Sequence, residues 1–245
     1  MSDARTRAEE LQAVTAHLSD DEFIRHIGVF LSGRVVFATS LGAEDQVLTD
    51  LLTAAGTGVP VVTLDTGRLP QETYDLIERT REHFRMEIRV LFPDAQSVEQ
   101  LVASGGPNLF YRSIDDRNSC CQVRKVEPLR RVLRSYDAWV TGMRRSQSVT
   151  RDALNRVDYD AANDMIKINP LIEWSSEQIW ARIRARGIPY NRLHDQGYPS
   201  IGCAPCTRAV KPGEDERAGR WWWEQPEQKE CGIHIQDGEA VRERR

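Results

Sequence analysis

Between residues 34 and 186, short apolar runs alternate with amphipathic stretches of helical length, which restricts the chain to folds built on a mainly parallel sheet with helices on its faces. Residues 34–39 (RVVFAT) read as a buried strand and 43–55 as the helix after it. A second strand over 60–64 leads to a helix over 70–84 with Pro70 in its first turn. A third strand and helix occupy 87–92 and 95–104, a fourth strand 138–141 and a fifth 165–168, before a helix over 175–186. Two amphipathic helices, 6–18 and 21–31, precede the first strand. Gly105-Gly106-Pro107 opens a loop expected to run to residue 119, and 120–133 reads as a helix with Cys120 and Cys121 near its start. After Gly187 the alternation ends, and turn residues, cysteines and tryptophans take over. The expectation is an α/β fold: a single domain with a twisted parallel sheet flanked by helices, and a mobile C-terminal tail.

The 33 basic and 37 acidic side chains leave a net charge of −4, so nothing global draws the chain to nucleic acid, and any anion site is local. The first residues, MSDARTRAEELQ, have no apolar stretch of the secretory kind, and no run approaches the roughly 18 apolar residues of a membrane span. A cytoplasmic location is expected, where thiols stay reduced, so five cysteines call for an explanation other than disulfides.

The first strand runs into Ser40-Leu41-Gly42-Ala43-Glu44-Asp45 at a helix start, a place where free backbone N–H groups can meet an anion. The alternative is an ordinary capped helix. The second strand ends in Leu64-Asp65-Thr66-Gly67-Arg68, a second polar glycine turn at the same sheet edge, and two such turns favour a nucleotide site. Gly142, Arg144, Arg145 and Arg151 follow the fourth strand, where each arginine either faces phosphate or solvates a loop. Neither GxxxxGK[ST] nor GxGxxG is present.

Cys120-Cys121 and Cys203-x-x-Cys206 form two pairs, a metal signal in a reduced compartment. Adjacent residues on a helix point about a quarter-turn apart, which suits separate irons of a cluster better than one zinc ion. Cys231 is left over, in Lys229-Glu230-Cys231-Gly232-Ile233-His234. Only a few per cent of an ordinary thiol, with pKa about 8.5, is thiolate at neutral pH, and a neighbouring cation raises that fraction. Trp221-Trp222-Trp223 either packs the tail or stacks on a base.

Taken together, Ser40–Asp45, Leu64-Asp-Thr-Gly67, Cys120-Cys121 with Lys125, Cys203-x-x-Cys206, Gly219-Arg220-Trp-Trp-Trp-Glu224 and Lys229-Glu-Cys-Gly-Ile-His234 resemble the assimilatory adenylyl-sulfate reductases, in family order over about residues 35–236. The resemblance implies an adenine nucleotide alpha hydrolase-like fold, a [4Fe–4S] cluster on Cys120, Cys121, Cys203 and Cys206, and Cys231 as nucleophile. It implies thioredoxin as electron donor and a homo-oligomer, with no membrane partner, in sulfate assimilation and cysteine biosynthesis. Substrate contacts are implied at Ser40, Gly42, Asp65, Lys125, Gly142, Arg151, Arg217, Arg220 and His234. The implied layout is N-terminal helices over 1–33, a nucleotide-binding reductase domain with the cluster over 34–220, and a tail over 221–245 carrying Cys231. The rivals are a phosphoadenylyl-sulfate or dual-substrate reductase, a tRNA-thiolating enzyme, whose SGGxDS loop the Ser40 segment does not match, and a zinc-stabilised binding module.

Overall fold

The computed structural model describes residues 3–145 and 154–225. Six strands form one sheet: β1 Val35–Thr39, β2 Val61–Leu64, β3 Arg89–Leu91, β4 Ala138–Val140, β5 Val157–Asp160 and β6 Met165–Ile168. Their order is β3-β2-β1-β4-β6-β5. β1 is parallel to β2 and β4, β4 is parallel to β6, and β5 alone is shown antiparallel, against β6. From β1 the chain builds outward through β2 and β3, then returns to the other side of β1 with β4. That reversal is a topological switch point, where ligands of open α/β sheets bind outside the strand ends. Here the ends of β1 and β4 lead into Ser40–Gly42 and Thr141–Gly142.

The fold is a single α/β domain whose contacts gather into two compact units. The first comprises the described residues of Met1–Thr63, Glu72–Arg89 and Leu133–Asn191. Its helices are α1 Asp3–Thr15, α2 Asp20–Phe30, α3 Ala43–Ala54, α4 Gln71–Phe84 and α8 Ser176–Arg186, apart from the first residue of α4. Capping boxes at Ser19–Glu22 and Ser175–Gln178 fix the starts of α2 and α8, each such cap contributing about 1 kcal/mol. Phe23, Ile24 and Ile27 of α2, Val47, Leu48 and Leu51 of α3 and Ile179 and Ile183 of α8 pack with Val35, Phe37, Val140 and Ile166 of the sheet in one core.

The second unit comprises Leu64–Gln71, Val90–Val132 and the described residues from Arg192 on. It holds α5 Ala95–Gly105, a 3-10 turn Leu109–Tyr111, α6 Ile114–Cys121, a π-helical turn Gln122–Val126 and most of α7 Glu127–Leu133. Its small core joins Leu109 and Phe110 to Cys120, Cys203, Cys206 and Trp221.

Three expectations change. The loop thought to reach residue 119 contains α6, started by Ser113, whose side chain accepts from Asp116 N–H. The cysteine pair therefore ends a helix instead of beginning one, and a π turn follows it. A strand over Val157–Asp160 was missed because its two aspartates disfavour a strand locally. Tertiary partners hold them: Asp160 accepts from Trp139 Nε1 at 3.0 Å, and Asp158 from Asn169 Nδ2 at 3.2 Å. Among the described residues no helix is long and apolar enough to cross a membrane.

Candidate active site

In the first unit the Ser40 loop turns inward on itself. Ser40 N–H and Oγ both donate to Asp45 Oδ2, the hydroxyl at 2.7 Å, and Leu41 N–H donates to Thr39 Oγ1 at 3.0 Å. Gly142 N–H adds a third bond to the Asp45 carboxylate, and a Cβ at Gly142 would fall on Asp45 Oδ1. The amides of Ser40 and Leu41 are thus bonded within the loop, while Gly42, the N-cap of α3, offers no side-chain cap to the amides of the first helical turn. Leu41 has φ +61°, a left-handed state that costs a non-glycine residue about 1–2 kcal/mol. Burial pushes the Asp45 carboxyl up to about 6, against the opposing Ser40 hydrogen bonds. Glu44 adds negative charge to the first turn of α3, and it accepts from the buried Arg144 at 2.8 Å. Arg145 pairs with Glu173 at 2.6 Å. Both arginines after β4 thus have carboxylate partners.

In the second unit, Asp65 shapes its own turn, its Oδ1 accepting from Gly67 N–H at 2.7 Å. Thr66 Oγ1 lies 3.2 Å from Cys203 Sγ, its carbonyl accepts from Arg124 at 2.7 Å, and the Arg68 carbonyl accepts from Ala204 N–H at 2.8 Å. The turn expected to line a nucleotide therefore braces the cysteine loop. Gly67, at φ +71°, supplies the left-handed residue this needs.

Cys120, Cys121, Cys203 and Cys206 are all buried and all line one cavity with about 360 Å³ of empty space, part of it open to solvent. Arg68, Arg117, Arg124 and Lys125 stand in the same wall, with Phe110, Pro205 and Trp221. Arg220 lies close by, its Nε donating to the Cys206 carbonyl at 3.4 Å, and Gly202 leaves room for its guanidinium, which a Cβ there would overlap. Burial pushes the Cys206 thiol up to about 12; neighbouring Cys203 adds to this, while Lys125 and Arg220 oppose it. Burial raises the Cys120 thiol too, with Arg124 opposing. The indole of Trp221, 1% exposed, has the guanidinium carbons of Arg220, Arg117 and Arg217 at 4.6, 4.8 and 6.0 Å from its centroid.

Two observations test whether this wall suits an iron–sulfur cluster. Four thiolates with bridging sulfide make an anionic group, and four cations line its space. Trp221 Nε1 is a buried donor without an acceptor among the described residues, in the same packed core as three of the cysteines, as a sulfur acceptor would require. Among the described residues no three His, Cys, Asp or Glu side chains converge as a lone metal ion would need. Four cysteines around one cation-lined cavity are a donor set of the kind that iron–sulfur clusters use.

Of the residues expected in the site, Ser40, Gly42 and Gly142 meet around Asp45 in the first unit. Lys125, Arg217, Arg220 and the four cysteines gather around the cavity and Trp221 in the second, with Asp65 in the bracing turn. Arg151, Cys231 and His234 lie outside the described residues. Sequence reasoning missed Asp45 as the loop's organiser, and Arg117 and Arg124. Helical spacing held a signal for the last two: Arg117 stands three before Cys120 and Arg124 three after Cys121.

The phosphoadenosine phosphosulfate reductase domain family matches residues 34–209. The chain is similar to an adenosine 5'-phosphosulfate reductase of Allochromatium vinosum, 54% identical over 82% of this chain and 78% of that protein. Against an enzyme of the same name from Burkholderia cepacia the identity is 47%, over 94% of this chain and 88% of that one. The crystal structure of phosphoadenylyl-sulfate reductase from Candida auris, a phosphate complex, superposes with a TM-score of 0.71 at 27% identity, covering 86% of this chain and 99% of that one. On these matches, and on the fold and cysteine cavity they share a span with, the chain belongs to the phosphoadenosine phosphosulfate reductase family.

Proposed function

We propose that the chain reduces adenylyl sulfate to sulfite and AMP, taking two electrons from thioredoxin, with Cys231 as nucleophile and a [4Fe–4S] cluster on Cys120, Cys121, Cys203 and Cys206. The observation that supports this most is the cation-walled cavity holding four buried cysteines in a chain half identical to named adenosine 5'-phosphosulfate reductases. When bound, the cluster supplies a fixed negative charge and a scaffold for the surrounding cations, since thioredoxin provides both electrons.

Cys231 as thiolate attacks the sulfur of adenylyl sulfate. The bond from sulfur to the bridging phosphate oxygen breaks, its electron pair leaves with AMP, and the sulfonate stays on Cys231. Lys125, Arg217, Arg220 and His234 offset the sulfate and phosphate charge that would repel an anionic nucleophile. The loops of Ser40, Gly42 and Gly142 at the switch point, with Asp65 and Arg151, hold the nucleotide. A thioredoxin thiolate then attacks the Cys231 sulfur and sulfite departs with its electron pair. The second thioredoxin thiol resolves the mixed disulfide, leaving oxidised thioredoxin and free Cys231. The 221–245 segment must therefore serve substrate first and thioredoxin second. A cytoplasmic homo-oligomer in assimilatory sulfate reduction is the setting this reading expects.

The test is anaerobic purification with visible absorption, iron and sulfide content, and sulfite production from adenylyl sulfate and reduced thioredoxin. About four irons and four sulfides per chain, with sulfite formed, is the expected result. Cys231→Ser should keep the brown colour and lose turnover; an active variant would exclude Cys231 as nucleophile. Turnover of only the 3'-phosphorylated nucleotide would correct the substrate, and a colourless zinc protein would overturn the cluster.

A further inference from the structure

One buried ion pair lies beside the cysteine cavity without belonging to its sulfur ligands. Arg117 sits on α6 one helical turn before Cys120 and lines the same cavity. Its Nε donates to Glu224 Oε1 at 2.6 Å, and the two side chains are 2% and 3% exposed. The Arg117 guanidinium also lies 4.8 Å over Trp221, while Glu224 N–H donates to the Trp221 carbonyl at 2.8 Å. Both residues of this turn are thereby held by one arginine. Trp221 has φ +40°, a left-handed state that a bulky residue keeps only where its surroundings impose it.

Two buried charges are a weak source of stability, because desolvation offsets their attraction; their best-attested use is to fix one arrangement against others. The arrangement fixed here is the root of the C-terminal segment. Cys231 follows Glu224 by seven residues, a span that reaches at most about 25 Å.

Resting on the reading of Cys231 as nucleophile, we infer that Arg117 is a positioning residue: it clamps Glu224 to the helix carrying Cys120 and so confines Cys231 within one short tether of the cysteine cavity. A tether rooted close by raises the effective concentration of the nucleophile, and freeing its root lowers it. The signature is slower thiol attack with nucleotide binding and iron content unchanged.

The experiment uses the full-length, iron-loaded protein and its Glu224→Ala, Glu224→Gln and Arg117→Lys variants. The first readout is formation of the sulfonate adduct on Cys231 in a single turnover with adenylyl sulfate and no thioredoxin, followed by mass spectrometry. Glu224→Ala should slow it on the order of tenfold at saturating nucleotide. Glu224→Gln, which keeps an acceptor for Arg117, should fall between Glu224→Ala and wild type. Arg117→Lys keeps the charge but not the planar face over Trp221, and should also be intermediate. Nucleotide affinity, iron and sulfide should match wild type in both Glu224 variants. The second readout is independent of the chemistry: cleavage by a lysine-specific protease after Lys229 should quicken about fivefold in Glu224→Ala, the rest of the chain staying intact. Wild-type adduct and cleavage rates in Glu224→Ala would overturn the inference. So would iron loss in step with the rate, which would make the pair scaffolding of the cysteine site. A wild-type protein that forms no adduct would refute the nucleophile itself, and the Lys229 cleavage would still decide the clamp.

Discussion

The Ser40 loop and the cysteine cavity handle charge in opposite ways. Around the loop each strong charge has an internal answer: Asp45 takes bonds from Ser40 and Gly142, and Glu44 from Arg144. In the cavity wall Arg68, Arg117, Arg124 and Lys125 stand with four buried cysteines, of which Cys120 and Cys206 are held toward the neutral thiol by burial. The loop is a hydrogen-bonded turn built around Asp45. The cavity instead brings four cations together with four buried cysteines.

Four changes would break or sharpen that contrast. The largest effect is expected from Cys203→Ser, which should abolish iron binding and turnover while leaving adenine nucleotide affinity within about threefold; iron and sulfide analysis beside nucleotide titration reads both. Lys125→Ala removes one cavity cation and no sulfur ligand. It should keep the visible absorption and lower kcat/KM for adenylyl sulfate by about 10²–10³. A loss confined to iron content would assign Lys125 to the cluster alone.

Asp45→Asn tests the loop through pH. The Asp45 carboxyl is raised from 3.8 to about 6 by burial, so the folded protein holds a proton there that the unfolded chain releases between those values. Its contribution to stability is therefore largest below pH 4 and declines as pH rises toward 6, by up to about 3 kcal/mol, then levels off. Asp45→Asn should flatten that decline in denaturant titrations from pH 4 to 7; an unchanged slope would contradict the burial argument. The smallest effect is expected from Gly142→Ala. Its new Cβ must displace Asp45, costing about 1–3 kcal/mol and weakening nucleotide binding without touching the iron.

Much of the fold was legible because strands β1, β2, β4 and β6 and helices α3, α4, α5 and α8 carry their own periodicity and breakers. β5 was not, because Asp158 and Asp160 are placed by Asn169 and Trp139, partners distant in the chain. The cysteine site was readable as residue types and spacing, yet the helix end under Cys121 was not: a π turn leaves no mark in the apolar pattern of 120–133. The Ser40 loop was legible as a polar glycine turn at a helix start, but the bonds from Ser40 to a buried Asp45 five residues on were not, because they depend on the helix closing the loop. Arg117 and Glu224 are 107 residues apart and carry no joint signal in one sequence.

The π turn at Gln122–Val126 is in effect one residue spliced into an otherwise α-helical path from Ile114 to Leu133. Deleting one residue there would restore regular winding and turn the residues inside the segment by about 100°, with α7 left in phase. Arg124 would leave Thr66, and Lys125 would leave the cavity wall. The spacing between Cys121 and α7 is thus a reading frame in space, in which length as well as residue type is specified.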